Sequence, residues 1–314
     1  MNQPNTSSRT LIVLNPHAGS GRAGRMWQNL EPLLWEQLGE LVIAVTDKPG
    51  DVAVHLDKAR AAGLTRVISI GGDGTNHALI NALADLNARY PDAPRMIYGN
   101  VPIGTGRDWA RGNGIPFDDP AAAARWIATA QPTPTDIGKI SMGADASGHA
   151  HDEYFLNIAS AGLGGEVARR VEGVHQRRPW TFMLATIGAI IERGAMPMQV
   201  EVDGQLWYDG RAYATVIANG STFGRGMKIA PHADVRDGLF EVVLVKGVPR
   251  VEVLAAFQRV YSGTHLTHRA VMSTRGKSVR IRGDAALGME LDGEFAQGSD
   301  LEFTIQPGVL SLLA

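Results

Sequence analysis

A glycine-rich turn with one carboxylate, Gly71-Gly72-Asp73-Gly74-Thr75, follows a short apolar run that is mostly β-branched. The run at 67–70 predicts a buried strand, and the apolar spacing over 76–86 predicts a helix after the turn. Glycines let a ligand approach bare main-chain N–H groups, and a helix start favours an anion. Asp73 would repel a phosphate, so we expect it to hold Mg²⁺ or to accept a proton. An ordinary strand-to-helix turn explains the same residues without a ligand.

A second glycine-rich segment, Asn15-Pro16-His17-Ala18-Gly19-Ser20-Gly21-Arg22-Ala23-Gly24-Arg25, follows a strand predicted at 10–14. It matches G-x-G-x-x-G, but its glycines do not follow the strand at once, and no acid ends a second strand at the usual distance. A P-loop would need Lys and Ser or Thr where Arg25 and Met26 stand. We interpret the segment as a third kind of phosphate loop, with main-chain N–H groups and Arg22 or Arg25 as contacts. A plain glycine loop is the alternative.

A third glycine turn, Ile103-Gly104-Thr105-Gly106-Arg107, follows a strand predicted to begin at Arg95. Between the turns, predicted helices at 26–38 and 51–62 alternate with strands predicted at 41–45 and 67–70. This alternation predicts an α/β domain built on a doubly wound, mostly parallel sheet. Ligands of such sheets bind at the carboxyl ends of the strands, where all three turns lie. We therefore expect the turns to meet at one nucleotide.

The segment Gln131-Pro132-Thr133-Pro134 predicts a boundary between residues 1–131 and residues 132–314. Beyond it the apolar period shifts towards two, which predicts a mainly antiparallel β domain carrying a few helices. We expect a cleft between the domains, and the last residues could return to the first domain. The strands predicted in this half cover 154–158, 198–202, 211–218, 239–245, 278–282 and 301–305, and the helices cover 166–174, 180–192 and 250–261.

The composition limits the classes of function. The chain has 314 residues, 20% of them charged, a net charge of −2 and no cysteine. The charge offers no field for nucleic acid, and the lack of cysteine removes disulfides, thiolate zinc sites and cysteine nucleophiles. The first nine residues lack an apolar signal core, so we expect a cytoplasmic protein.

The apolar run at 182–191 is shorter than the roughly 20 residues that a membrane-spanning helix needs. Arg169, Arg170, Arg177 and Arg178 precede it. This combination is consistent with peripheral contact at the anionic inner face of a membrane. A half-buried helix with solvated flanks is the alternative.

The glycine turns belong to an ordered series of blocks that covers nearly the whole chain. The series resembles the diacylglycerol kinase catalytic domain family, which includes bacterial soluble lipid kinases and the sphingosine and ceramide kinases. The resemblance implies a two-domain enzyme that uses ATP and Mg²⁺ to phosphorylate a hydroxyl of a lipid at a membrane surface. Besides the three turns, the matching blocks are Asn157 with Gly162-Leu163-Gly164, Pro231-His232-Ala233 with Asp237-Gly238-Leu239, and Asp292-Gly293-Glu294.

The resemblance also implies roles for individual residues. Asp292 corresponds to the family's proposed proton acceptor, with Glu294 beside it, and Asp73 is the other candidate acid. Asp234, Asp237 and Leu239 match a Mg²⁺ site that is structural in the bacterial members. Glu166 falls where sphingosine kinases hold the substrate's head group. The ATP contacts would be Asn15, Pro16, Gly19, Ser20, Gly21, Thr46, Gly71, Gly72, Asp73, Gly74, Thr75, Gly104 and Thr105.

Two residues depart from the family pattern. Ala78 stands where a Glu is usual, which removes a carboxylate, and Arg107 replaces an Asn, which adds a cation. An NAD kinase shares the GGDGT turn but should lack the Asp292-Gly293-Glu294 ending. A nucleotide-binding regulator without turnover would explain the two departures. The sequence leaves open the acceptor lipid, whether diacylglycerol, sphingoid base, ceramide or phosphatidylglycerol, and the oligomeric state.

Overall fold

The chain forms two compact units. The computed structural model describes residues 9–46, 48, 50–103, 107–117, 119–142, 151–171, 174 and 181–313. The first unit comprises Met1–Thr135 and Gly308–Ala314, and the second comprises Asp136–Pro307. The first is an α/β domain and the second is mainly antiparallel β, which confirms the predicted division of fold class.

Strands and helices alternate in the first unit. Its strands are β1 (Thr10–Leu14), β2 (Leu41–Val45), β3 (Arg66–Gly71) and β4 (Ile97–Pro102). Its helices are α1 (Ala18–Leu38), α2 (Asp51–Ala61), α3 (Asp73–Arg89), α4 (Asp108–Gly112) and α5 (Pro120–Thr129). The strands are ordered β4-β3-β1-β2, and each neighbouring pair is parallel. The carboxyl ends of β1, β3 and β4 therefore lie at the same edge of the sheet.

Helices α1 and α5 cover this sheet with apolar side chains. Leu30 and Leu34 of α1 and Ile127 of α5 pack with Ile12 and Ile68 of the strands, and all five are buried. Burial of a side chain of this size stabilises the fold by about 2 kcal/mol. This packing fixes the strands whose ends carry the glycine turns.

The second unit begins within a long strand and is built from antiparallel pairs. Its strands run in the order β11-β10-β9-β7-β12-β13, and β8 pairs with β9 and β12. The elements are β5 (Pro132–Met142), β6 (His151–Phe155), β7 (Ile158–Gly162), α6 (Leu163–Val171), α7 (Thr181–Arg193), β8 (Met196–Val202), β9 (Gln205–Ala218), β10 (Phe240–Lys246), α8 (Arg250–Ala256), α9 (Arg259–Ser262), a 3-10 turn (Thr264–Thr267), β11 (Val271–Gly276), β12 (Ser278–Leu291) and β13 (Glu294–Leu313).

An aromatic cluster marks the core of the second unit. The ring of Phe155 stacks on Phe240, with 5.8 Å between centroids, and meets Phe303 edge-on at 6.2 Å. Gly138 lies against this cluster, because a Cβ built there would sit 2.1 Å from the Phe155 ring. A side chain at 138 would therefore displace the centre of the core.

Several predicted elements are wrong in extent. The proline-rich segment forms the start of β5, where Pro132 and Pro134 occupy exposed places. The strand predicted at 154–158 is two strands with a corner between them. The helix predicted at 250–261 is broken into α8 and α9, and β11 was not predicted.

Candidate functional site

The GGDGT turn joins β3 to α3 and lies partly inside the helix. Gly71 ends the strand, Gly72 is the extended N-cap, and Asp73 begins α3, three residues earlier than predicted. A Cβ at Gly71 would lie 2.6 Å from Thr75 Cβ, so only glycine fits there. The first N–H groups of a helix lack acceptors within the helix and carry the positive end of its dipole. The turn therefore offers an anion a set of donors.

Asn15 links the segment after β1 to the GGDGT turn. Its side-chain Nδ2 donates to Thr75 Oγ1 at 3.1 Å, and its main-chain N–H donates to Ile70 O at 3.1 Å. Its Oδ1 accepts from the N–H of His17 at 3.0 Å. The amide thus fixes the distance between two of the three predicted turns.

The segment from Gly19 to Gly21 has left-handed backbone. The φ angles are 61° at Gly19, 58° at Ser20 and 78° at Gly21, and the regular part of α1 starts after them. The predicted loop through residue 25 is therefore too long. Arg25 closes this bend by donating to Ser20 O from both terminal nitrogens, at 3.3 and 3.4 Å. The N–H of Gly24 donates to Pro16 O at 3.1 Å.

The segment after β4 meets both other turns. The N–H of Ile103 donates to Gly71 O at 3.1 Å, and a Cβ at Gly19 would lie 2.9 Å from Ile103 O. The main-chain N–H of Arg107 donates to Asp73 Oδ1 at 3.3 Å. Three segments that are far apart in sequence are therefore held together by hydrogen bonds and close contacts. Gly104 and Thr105 lie outside the described residues.

The two residues that depart from the family pattern, Arg107 and Ala78, have different surroundings. Arg107 has a left-handed backbone, with φ of 56°, and its Nη1 donates to Phe117 O at 2.7 Å. The guanidinium carbon lies 5.1 Å from the centroid of the Phe117 ring. The added cation is therefore anchored at Phe117. Ala78 lies one turn into α3 and brings no polar group there.

Thr46, also predicted to contact ATP, is buried at the end of β2. Its N–H donates to Leu14 O at 2.9 Å, and its hydroxyl donates to the same oxygen at 3.4 Å. Leu14 immediately precedes Asn15. Thr46 therefore supports the end of β1 and the start of the Asn15 segment.

A polar network beneath the GGDGT turn involves residues outside the predicted site. Asn76 Oδ1 accepts from Ser69 Oγ at 2.7 Å and from the Tyr98 hydroxyl at 3.0 Å. These bonds tie the start of α3 to β3 and β4. The sequence signal for this network is Ser69, a polar residue inside an apolar strand. In the structure Ser69 is completely buried.

Asp292 and Gly293 form the two-residue turn between β12 and β13. Both have positive φ, 50° and 98°, as the tightest hairpin turns require. The Asp292 carboxylate also accepts main-chain N–H bonds from Leu156 at 2.6 Å, Asn157 at 2.9 Å and Ile158 at 3.0 Å. These bonds shape the corner between β6 and β7. Glu294 is exposed at the first residue of β13.

A second group of polar residues completes this corner. Asn157 O accepts from the N–H groups of Asn219 at 2.9 Å and Gly220 at 2.7 Å, and Asn157 Nδ2 donates to Thr222 O at 2.8 Å. Asn219 Nδ2 donates to Leu156 O at 2.6 Å. Asn219 was not predicted, although an Asn-Gly pair after a strand is a turn signal.

Glu166 is surrounded by arginines of its own chain. Its side chain is 8% exposed, and its Oε1 accepts from Arg169 at 2.8 Å and Arg170 at 2.9 Å. Its Oε2 accepts from Arg193 Nε at 3.2 Å. Burial alone would raise the pKa of this carboxyl, but the hydrogen bonds from Arg169 and Arg170 and the nearby positive charges lower it. The acid therefore has internal partners where the resemblance implies a substrate head group.

The residues predicted to hold a structural Mg²⁺ are paired with arginines. Asp237 forms an ion pair with Arg275, whose Nε lies 2.9 Å from Glu241 Oε1. Asp234 Oδ1 accepts from Arg236 Nε at 3.3 Å. The main-chain N–H of Leu239 donates to Asp237 Oδ1 at 3.0 Å.

These pairings do not fit a divalent cation. A guanidinium already supplies the positive charge beside Asp237, and burial raises the pKa of Glu241 against the opposing effect of Arg275. Across the described part of the chain, no three His, Cys, Asp or Glu side chains are grouped so that they could hold a metal. The charges of Asp237 and Glu241 are therefore already balanced in part by Arg275.

No helix within the described ranges is both long and apolar enough to cross a membrane.

Residues 9–140 match the family model of the diacylglycerol kinase catalytic domain, and residues 157–314 match that of the YegS C-terminal NAD kinase beta sandwich-like domain.

Named relatives agree with these matches. The chain is 26% identical over 291 residues to a Bacillus subtilis protein named diacylglycerol kinase, which covers 91% of this chain and 90% of that protein. It is 30% identical over 273 residues to a Pseudomonas fluorescens protein named probable lipid kinase YegS-like, covering 86% and 84%.

Solved structures share the fold. A crystal structure of a diacylglycerol kinase from Bacillus anthracis superposes with a TM-score of 0.71 at 21% identity, covering 99% of this chain and 98% of that one. Yeast NADH kinase complexed with NADH superposes with a TM-score of 0.51 at 9% identity, covering 99% and 87%. Combined with the family models, these findings confirm what the ordered motifs indicated: the chain belongs to the diacylglycerol kinase catalytic domain family of lipid kinases.

Proposed function

We propose that this protein is an ATP- and Mg²⁺-dependent lipid kinase that transfers the γ-phosphate to a hydroxyl of a membrane lipid. The observation that carries the proposal is the meeting of three segments around Asp73 and Thr75. Asn15 reaches Thr75, Ile103 reaches Gly71, and Arg107 reaches Asp73. Family membership supports the choice of a lipid as the acceptor.

Phosphoryl transfer asks a protein mainly for positioning and for neutralisation of charge. The first turn of α3 presents main-chain N–H groups and the positive end of a 17-residue helix. Gly72, the N-cap, carries no side chain that would shield these groups from an anion. Asn15 and Thr75 hold each other in place, so the donors are arranged before a ligand arrives.

Asp73 is the residue that would hold Mg²⁺. Magnesium sites in such enzymes commonly use one or two carboxylates together with substrate phosphates, so one acid satisfies the requirement. Bound Mg²⁺ neutralises the charge on the phosphate oxygens. The main-chain N–H of Arg107 donates to Asp73 Oδ1 and so helps to orient the carboxylate. Ala78 supplies no second carboxylate to this turn.

The proton acceptor is proposed to be one of the acids at the β12–β13 turn. A carboxylate has about four acceptor sites, and Asp292 uses three of them for main-chain donors. Glu294 is exposed beside it. That these acids of the second unit face the glycine turns of the first stays a prediction.

The direct test is incubation with γ-labelled ATP and Mg²⁺ over a panel of lipids. The panel contains diacylglycerol, a sphingoid base, ceramide and phosphatidylglycerol, with NAD as a further acceptor. Label in a lipid that disappears in Asp73→Asn supports the proposal. Label in a dinucleotide would make the protein an NAD kinase, and ATP binding without transfer would make it a regulator. Either of these results contradicts the proposal.

A further inference from the structure

We infer that the exposed side of α6, α7 and α8 docks onto the surface of an anionic lipid bilayer. The inference rests on the proposed function, because it names the surface at which the acceptor lipid would be met. Its observations are a set of exposed apolar side chains, a set of arginines around them and an internal anchor for those arginines. All three lie in the second unit.

The apolar part of this docking surface lies on α7 and α8. Leu184 and Ile191 are 56% and 51% exposed, and they are seven residues apart, so they lie on one face of α7. Thr186, Ala189 and Ile190 are the buried residues of the same helix. Val251 of α8 is 73% exposed.

Arginines border these apolar side chains. A Cβ at Gly188 would lie 2.7 Å from Arg170 Nη1, so this guanidinium lies across α7 between Leu184 and Ile191. A Cβ at Gly194, just beyond the end of α7, would lie 3.1 Å from Arg250 Nη2. The side chains of Arg169 and Arg193 are more than half exposed.

The charge at this surface is positive. The acids that pair with its arginines are Glu166 and Glu192, against the cations Arg169, Arg170, Arg193 and Arg250. Glu166 is almost buried, so its charge lies behind the arginines rather than beside the apolar side chains. Glu192 is 66% exposed and pairs with Arg170, so the exposed cations Arg169, Arg193 and Arg250 outnumber the one exposed acid of these pairs.

Glu166 also fixes where these cations stand. It joins Arg169 and Arg170 of α6 to Arg193 of α7. Arg193 uses only Nε in this contact, and its two terminal nitrogens have no partner among the residues that the structure describes. Such planar, oriented donors suit phosphate oxygens. The buried acid thus acts as an anchor for a basic surface, a role different from binding a cationic head group.

An anionic bilayer is the occupant that this pattern fits best. Interfacial helices combine a few exposed apolar residues with flanking Lys or Arg. The apolar residues insert at the boundary between headgroups and acyl chains, and the basic residues bind anionic headgroups. Each arginine near an anionic leaflet strengthens binding about fivefold. Binding to a protein partner or to a second copy would not depend on lipid charge.

Vesicle sedimentation without ATP tests the inference. The full chain is mixed with vesicles of phosphatidylcholine alone, or with phosphatidylserine added, at low and high salt. We expect binding to the anionic vesicles that falls as salt rises. Arg193→Gln with Arg250→Gln should weaken it about 25-fold, at about fivefold per arginine. Leu184→Ser with Ile191→Ser should also weaken it, with less effect on its salt dependence.

Matched variants control for general changes of surface. Trp35→Ser removes an apolar side chain that is 63% exposed on α1, and Arg125→Gln removes an exposed arginine of α5. Neither should alter vesicle binding. Thermal unfolding of every variant checks that it is folded.

The inference is overturned if phosphatidylcholine vesicles bind equally well, if both double variants bind like the parent, or if nothing binds. A dimer in gel filtration that Leu184→Ser with Ile191→Ser dissolves would show a second copy as occupant, and would also overturn it. Phosphatidylserine is not in the acceptor panel, and no ATP is present. Vesicle binding without phosphate transfer in the lipid panel would thus contradict the proposed function and support the docking surface. Phosphate transfer without vesicle binding would support the function and contradict the docking surface.

Discussion

A single carboxylate at Asp292 stabilises two local structures at once. It occupies the tight turn between β12 and β13, and it caps the N–H groups of the corner between β6 and β7. A short Asp-Gly-Glu motif therefore matters for folding whether or not it matters for chemistry. If a variant at this residue loses activity, its stability must be measured as well.

We predict that Asp292→Asn destabilises the protein by about 1–3 kcal/mol, because an amide NH₂ replaces one acceptor and leaves an N–H group of the corner without a partner. Thermal unfolding should show a lower melting temperature. Glu294→Gln, whose side chain is exposed, serves as the matched control and should melt like the parent. Equal melting temperatures for Asp292→Asn and the parent would contradict this role.

Glu166 makes stability depend on pH in a defined direction. Its pKa is lower in the folded protein than its ordinary value of 4.5, so the unfolded state binds the proton more readily. The stabilisation from the ionised Glu166 is complete above pH 4.5. It is lost as the pH falls below 4.5 and through the lower pKa of the folded protein.

Replacing Glu166 by Gln removes this contribution. We predict that the variant loses about 2 kcal/mol at pH 7, as expected for hydrogen bonds to charged groups, and that its difference from the parent shrinks at acid pH. Denaturant unfolding of both proteins at several pH values measures this difference. Glu36→Gln on α1, at an exposed side chain, is the control. A difference that does not change with pH would contradict the ion-pair network.

At the scale of elements, the junction between β3 and α3 depends on a missing side chain. We predict that Gly71→Ala destabilises the first unit by about 1–3 kcal/mol, because the new methyl group would overlap Thr75. ATP binding should weaken as the first turn of α3 moves. Gly50→Ala is a matched control, since a Cβ there meets nothing within 4 Å. Parent-like melting of Gly71→Ala would contradict the described packing.

The turn before β10 is predicted to be stable without a metal. Without ATP present, neither Mg²⁺ nor a chelator should change the melting temperature, because Arg275 pairs with both Asp237 and Glu241. Arg275→Ala should lower it, because two acids, one of them buried, then face each other unpaired. Arg125→Ala, at an exposed surface pair, is the control. A chelator that lowers the melting temperature of the parent but not that of Asp237→Asn would show that this turn binds a metal.

At the scale of the whole molecule, the sequence predicted what depends on local pattern. Strands β1 and β2 were predicted with their observed bounds, because each is a continuous apolar segment bounded by polar residues. The division into an α/β domain and an antiparallel β domain followed from the change of apolar period. The ordered motifs led to the family.

Features that depend on distant residues were not predictable in this way. The corner after Phe155 exists because Asp292, more than 130 residues further along the chain, binds its N–H groups. Likewise, β11 was missed because its polar residues, such as Arg275, pair with β10 and the turn before it. The arginines around Glu166 were visible in the sequence, but their convergence on one buried acid requires α6 and α7 to pack together.

The contact between Asn15 and Thr75 allows the most direct test of a shared phosphate site. Calorimetric titration with ATP and Mg²⁺ would compare the parent, Asn15→Ala, Thr75→Val and the double variant. We predict that each single variant weakens binding about tenfold and that the double variant is little weaker than either, because the two side chains share one hydrogen bond. Asn113→Ala on the same unit is the control. Unchanged ATP affinity in the double variant would show that the glycine turns do not form the nucleotide site.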